Sequence, residues 1–138
     1  YQDARIRLLR NPTNLKLSAS LNRGLEIAQG DYVARIDADD VCLQERFEKQ
    51  VAFLESHPDI GALGTQVRNI SPDGKKSRPG SPTPTTPNMT KWQALLGYPI
   101  AHPTLMIHRS LLDDIGGYDT TYPYAQDQAL WSQLIFKT

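Results

Sequence analysis

The sequence predicts an α/β domain with a mostly parallel sheet, and three observations carry that prediction. Runs with strand composition alternate with apolar residues at helical spacing over the first 70 residues. Turn-forming residues separate them, and an acidic turn, Asp37-Ala38-Asp39-Asp40, stands at the carboxyl end of a strand, where sheets of this class gather ligands. At 138 residues the chain is sized for one domain, residues 1–138, able to bury roughly two-thirds of the surface its unfolded form exposes.

The elements follow in order. Arg5 to Leu9 alternates charged and apolar residues, as a half-buried strand does, and Asn11-Pro12-Thr13-Asn14 ends it. Leu17, Leu21, Leu25 and Ala28 fall on one helical face, with Gly30 placed for a left-handed cap. Tyr32 to Ile36 is a strand running into the acidic turn. Leu43, Phe47, Val51 and Leu54 mark a second helix, which His57-Pro58 ends because the residue before proline resists helical dihedrals.

Ile60 to Ile70 reads as a strand in which Gly61 and Gly64 imply a bulge or a close backbone approach. Residues 71–88 form a Pro-rich, exposed loop with a Pro-Asp-Gly turn. Beyond it come a short helix from Met89 to Leu96, a strand from Thr104 to His108 and a helical turn from Arg109 to Ile115 ended by Gly116-Gly117. A final helix runs from Ala125 to Phe136.

Fifteen Lys and Arg balance fifteen Asp and Glu, so no global field draws the chain to nucleic acid or an anionic membrane. Lys75, Lys76 and Arg78 lie in the Pro-rich stretch without interleaved aromatics and read as a solvated loop, so no nucleic-acid partner is expected. The single cysteine, Cys42, reads as a packing residue and suits a reducing, cytoplasmic compartment. No apolar run approaches the roughly 20 residues that span a bilayer. The chain starts at Tyr1 without an initiator Met, as a fragment does.

Three carboxylates within four residues repel one another unless a cation or fixed donors neutralise them. A hard divalent ion such as Mg²⁺ or Mn²⁺ would do so, completing its shell with substrate phosphates and water. The cluster is equally compatible with a solvated loop that favours the positive end of the following helix. Arg23 and Arg35 read as surface charges that could help balance it.

The flanks decide between these. Asn22-Arg23-Gly24, Ala28-Gln29-Gly30-Asp31-Tyr32, Ile36 to Asp40, and Arg46-Phe47 with Gln50 resemble the central block of family 2 glycosyltransferases. Ala101-His102-Pro103-Thr104, Arg109, Ile115 to Asp119, and Ala125-Gln126-Asp127 through Leu130-Trp131 are similar to that family's acceptor-side segments in the same order. The resemblance covers about residues 5–134.

It implies a Rossmann-like GT-A fold and inverting transfer from a nucleotide-sugar donor to a carbohydrate or lipid-linked acceptor. By position, Asp39 would be the principal ligand of a divalent metal, Mn²⁺ or Mg²⁺. Asn22, Asp37 and Asp40 would join it on the donor side, with Asp40 supporting the site or capping the next helix. Asp127 would be the general base, which takes a proton from the acceptor hydroxyl as it attacks a carbon of oxocarbenium character. The family has a Glu-Asp pair there and this chain has Gln126-Asp127, which removes a like charge beside the base. His102, Gly117, Tyr118 and Gln126 would lie on the acceptor side, although a histidine before proline also serves turns and Gly-Gly also caps helices.

In that family the first two strands and their helix precede the segment found here and supply most donor contacts. The expectation is therefore an N-terminally truncated domain that binds donor weakly and lacks activity alone. It would expose a sheet edge that invites pairing into a homodimer, and any peripheral membrane association would belong to a full-length protein. Two other readings stay open: a sugar nucleotidyltransferase, for which the chain shows no Gly-rich, basic triphosphate loop, and a non-catalytic carbohydrate-binding or assembly module.

Overall fold

The computed structural model describes residues 2–135 and 137. Helix α1 (Lys16–Ile27) leads to strand β1 (Tyr32–Ala34), helix α2 (Arg46–Ser56) and strand β2 (Ala62–Leu63). Strands β3 (Arg68–Ile70) and β4 (Ser77–Pro79) precede helix α3 (Pro87–Leu96), a 3-10 turn (His102–Thr104) and strand β5 (Met106–His108). Helices α4 (Arg109–Ile115) and α5 (Gln126–Ile135) follow.

The main sheet corrects the expected parallel pairing. Its order is β1-β5-β2, and β5 runs antiparallel to both neighbours. β1 and β2 therefore point the same way, as strands joined by a crossover helix do. What the local pattern does not encode is that β5, some 70 residues after β1, enters between them from the opposite direction. A mixed α/β domain results, with a small antiparallel sheet among the described residues.

Other expectations shift for local reasons. Arg5 to Leu9 is not a strand. Among the described residues no strand lies beside it to take its backbone hydrogen bonds, Ile6 and Leu8 stay exposed, and Arg5 folds back onto Asp3. α1 is closed by Ala28 in an extended conformation rather than by Gly30; the Ala28 N–H bonds the carbonyls of Gly24 and Leu25 at 3.1 and 3.2 Å. α2 begins at Arg46, so Leu43 lies in the preceding loop, while its expected end at His57 holds.

The predicted strand from Ile60 to Ile70 is split between two sheets. β2 joins the main sheet and β3 pairs with β4 in a hairpin turned by Pro72-Asp73-Gly74, which builds a strand into the otherwise exposed Pro-rich segment. Gly64 does mark a close approach, since a Cβ there would sit 2.3 Å from the Ile100 side chain. Thr86 caps α3, accepting from the Met89 N–H, with Pro87 in the first turn. The strand expected from Thr104 begins at Met106 because residues 102–104 coil into the 3-10 turn. The final helix's expected end, Phe136, lies outside the described residues.

The core gathers Leu105 and Ile107 with Leu112, Tyr118, Leu130, Trp131 and Leu134, and Leu21 and Leu25 of α1 pack against it. Trp131 is a core residue, as expected.

Candidate active site

The predicted site residues fall into two regions around β5. One is a buried network anchored on α1. Asn22 donates from Nδ2 to the Tyr118 carbonyl and accepts the Tyr118 N–H at Oδ1, both at 2.8 Å. Its amide is thus committed to holding the loop after α4. Gly117 makes that docking possible: its φ is +78°, and a Cβ there would lie 2.7 Å from Asn22 Oδ1. Gly116, at φ +77°, closes α4 in the left-handed conformation.

The loop delivers Tyr118 into the core, where its hydroxyl shares a 3.0 Å hydrogen bond with His102 Nε2. The imidazole meets the Trp131 ring edge-on at 6.1 Å between centroids. Burial holds the His102 imidazole down to a pKa of about 4; Arg35 adds to that depression, and Asp127 and Asp37 oppose it. The Tyr118 phenol is pushed up to about 12 by the same burial. Both side chains are therefore neutral at pH 7.

Asp127 sits half-buried in the first turn of α5, its Oδ1 accepting the Gln128 N–H at 3.0 Å. The residue before the helix, Ala125, has φ +57°, a left-handed conformation that alanine rarely adopts. Gln126 is half-buried beside it.

The second region is the acidic turn. Asp37 is half-buried, and Asp39 and Asp40 are exposed on a turn closed by the Asp40 N–H donating to the Asp37 carbonyl. Here the structure corrects the reading of Arg35 as a surface charge. Its side chain is only 9% exposed and forks onto Asp37, Nη2 to Oδ1 at 2.5 Å and Nη1 to Oδ2 at 3.1 Å. Arg23 turns away instead, to the Arg10 carbonyl and Asn11.

Beneath the turn lies a polar pin that sequence reasoning noted only as part of a motif. Arg46 donates to the Arg35 carbonyl at 2.8 Å and to Gln50 Oε1 at 2.9 Å. Gln50, 2% exposed, passes the connection to the carbonyls of Leu63 and Thr104. The i, i+4 spacing of Arg46 and Gln50 was the available signal, since it places both on one face of α2.

The structure thus brings Asn22, Gly117, Tyr118 and His102 into one bonded network, with Asp37 and Asp127 both acting electrostatically on His102. Asp39 and Asp40 stay outside it.

A family model described as glycosyl transferase family 2 matches residues 1–116. Among curated proteins the chain is 40% identical over 119 residues to EpsE of Bacillus subtilis, covering 86% of this chain and 41% of that one. It is 34% identical to the amylovoran biosynthesis glycosyltransferase AmsE of Erwinia amylovora, over 88% of this chain and 45% of AmsE. It is 29% identical to the UDP-Gal:alpha-D-GlcNAc-diphosphoundecaprenol beta-1,3-galactosyltransferase of Escherichia coli, over 86% of this chain and 42% of that enzyme. The chain spans less than half the length of each of these three relatives.

Proposed function

Because the chain belongs to glycosyl transferase family 2, we propose that it serves sugar transfer from a nucleotide-sugar donor to a carbohydrate or lipid-linked acceptor in polysaccharide assembly. The names of AmsE and the E. coli relative support that class of product and acceptor. One observation carries the reading to particular residues. Asn22, from the first half of the chain, and Tyr118 and His102, from the second, are joined in one hydrogen-bonded network.

The family implies a divalent cation. Among the described residues no three His, Cys, Asp or Glu side chains converge on one point, so the chain offers no all-protein cage. Asp39 and Asp40 are nonetheless hard oxygen donors exposed on a turn. That donor set fits an ion held jointly by one or two carboxylates and a diphosphate. When bound, the ion would supply a Lewis acid for the negative charge on the departing nucleoside diphosphate. Asp39 would hold it, with Asp40 beside it.

The chain's own residues do the rest. Asp127 accepts the proton of the acceptor hydroxyl, its carboxylate fixed in rotamer by the Gln128 N–H. The His102–Tyr118 pair is neutral and adds no charge to the site. Asn22 and Gly117 hold the loop that carries Tyr118, and so contribute by shaping the acceptor side. No described helix is long and apolar enough to cross a membrane.

Calorimetry with UDP, GDP and dTDP, with and without Mn²⁺, on this chain and on any longer form of it, tests the proposal. We expect nucleotide binding that requires Mn²⁺ and is lost in Asp39→Ala. Binding that needs no metal and survives that substitution would sink the metal role. Transfer unchanged in Asp127→Ala would remove Asp127 as the base.

A further inference from the structure

Asp37 differs from Asp39 and Asp40 in having its charge already matched inside the chain. Its carboxylate is 42% exposed, but the guanidinium it meets is 9% exposed and makes two near-parallel contacts with it. Forked pairing of this kind fixes orientation as well as neutralising charge. Arg35 Nε is buried with no acceptor among the described residues, so the Asp37 carboxylate is what compensates a cation already removed from water.

The backbone beneath the pair is held on two sides. The Arg35 N–H donates to the Leu105 carbonyl at 2.9 Å, and the Arg35 carbonyl accepts from Arg46, itself fixed by buried Gln50. The backbone that carries Arg35 is therefore held on both sides, and its side chain is buried against Asp37. A cation that took Asp37 as a ligand would have to break the fork and strand a buried guanidinium. At Asp39 and Asp40 there is no ion pair to break among the described residues.

We propose that Arg35 is a positioning residue of the acidic turn: it withholds Asp37 from the divalent cation and so reserves that role for Asp39, with Asp40 at its side. The inference rests on the metal reading of this turn given above.

Titration of this chain with Mn²⁺ alone, followed by the electron paramagnetic resonance of the free ion, tests it. Arg35→Gln releases a carboxylate beside Asp39 and should tighten Mn²⁺ binding roughly threefold to tenfold, the effect of one added unit charge a few ångströms away. The double variant Arg35→Gln/Asp37→Asn removes the pair without changing net charge and should bind within about twofold of the unaltered chain.

The inference is overturned if Arg35→Gln folds and binds Mn²⁺ no more tightly, or if the double variant loses binding as Asp39→Ala does, which would make Asp37 a ligand. Should Arg35→Gln fail to fold, the double variant, which leaves no buried charge unpaired, decides alone. Failure of the underlying reading looks different: Asp39→Ala then leaves Mn²⁺ binding unchanged. No Mn²⁺ binding in any variant overturns both.

Discussion

The network around Tyr118 and the turn around Asp39 belong to the same proposed site but are built in opposite ways. The first is buried, bonded at every step from Asn22 to His102, and complete in the chain itself. The second leaves Asp39 and Asp40 exposed, with only Asp37 tied down. The contrast is one of completeness: the geometry around Tyr118 is fixed by folding, whereas Asp39 and Asp40, the carboxylates proposed for the donor side, have no ion-pair partner among the described residues.

That difference can be broken most sharply through pH. His102 is held near pKa 4 in the fold, against 6.5 ordinarily. Between those values the unfolded chain takes up a proton that the folded chain refuses. The contribution of a neutral His102 is therefore whole above about pH 6.5 and drains away as pH falls toward 4, a loss of roughly 3 kcal/mol at most. Urea melts between pH 4 and 7.5 should show that slope, and His102→Gln should flatten it. A slope that persists in His102→Gln would place the proton elsewhere.

Substitution separates the two regions next. Asn22→Ala leaves the backbone N–H and carbonyl of Tyr118 without partners and should cost about 2 kcal/mol. Chemical denaturation giving the same mild change as a surface substitution would show the network to be less tied than its geometry indicates.

A smaller, opposite effect is expected at Ala125. Its left-handed φ of +57° strains an exposed residue just before the helix that carries Asp127, so Ala125→Gly should raise stability by about 0.5–1 kcal/mol. A loss on denaturation would mean that the helix start relaxes differently. The smallest change belongs to the turn: Asp39→Ala should shift stability by no more than about 0.5 kcal/mol while removing Mn²⁺ binding. A large loss of stability there would erase the distinction between the regions.

Much of this was legible in the residues. The spacing of Leu21 and Leu25 placed α1 on the core, the helix expected from Met89 to Leu96 forms as α3 with its start moved back to Pro87, and Gly116-Gly117 ends α4 where the sequence predicts. The order of the motifs, from Asn22 through the acidic turn to Gln126-Asp127, pointed to the family that the comparison then matched. Arg5 to Leu9 misled because alternation describes a strand's face and says nothing of whether a neighbour exists to pair with it. Arg35 misled because a charged residue two positions from a carboxylate looks the same in sequence whether the pair is solvated or buried.

The sequence by itself therefore determined the local elements and the chemistry available, because helical periodicity, capping and turn preferences are properties of neighbouring residues. Only the tertiary structure decided that β5 enters antiparallel between β1 and β2, that Tyr118 reaches His102, and that a buried Arg35 guanidinium forks onto Asp37. Those outcomes depend on which distant surfaces exclude solvent together, and local pattern does not specify that.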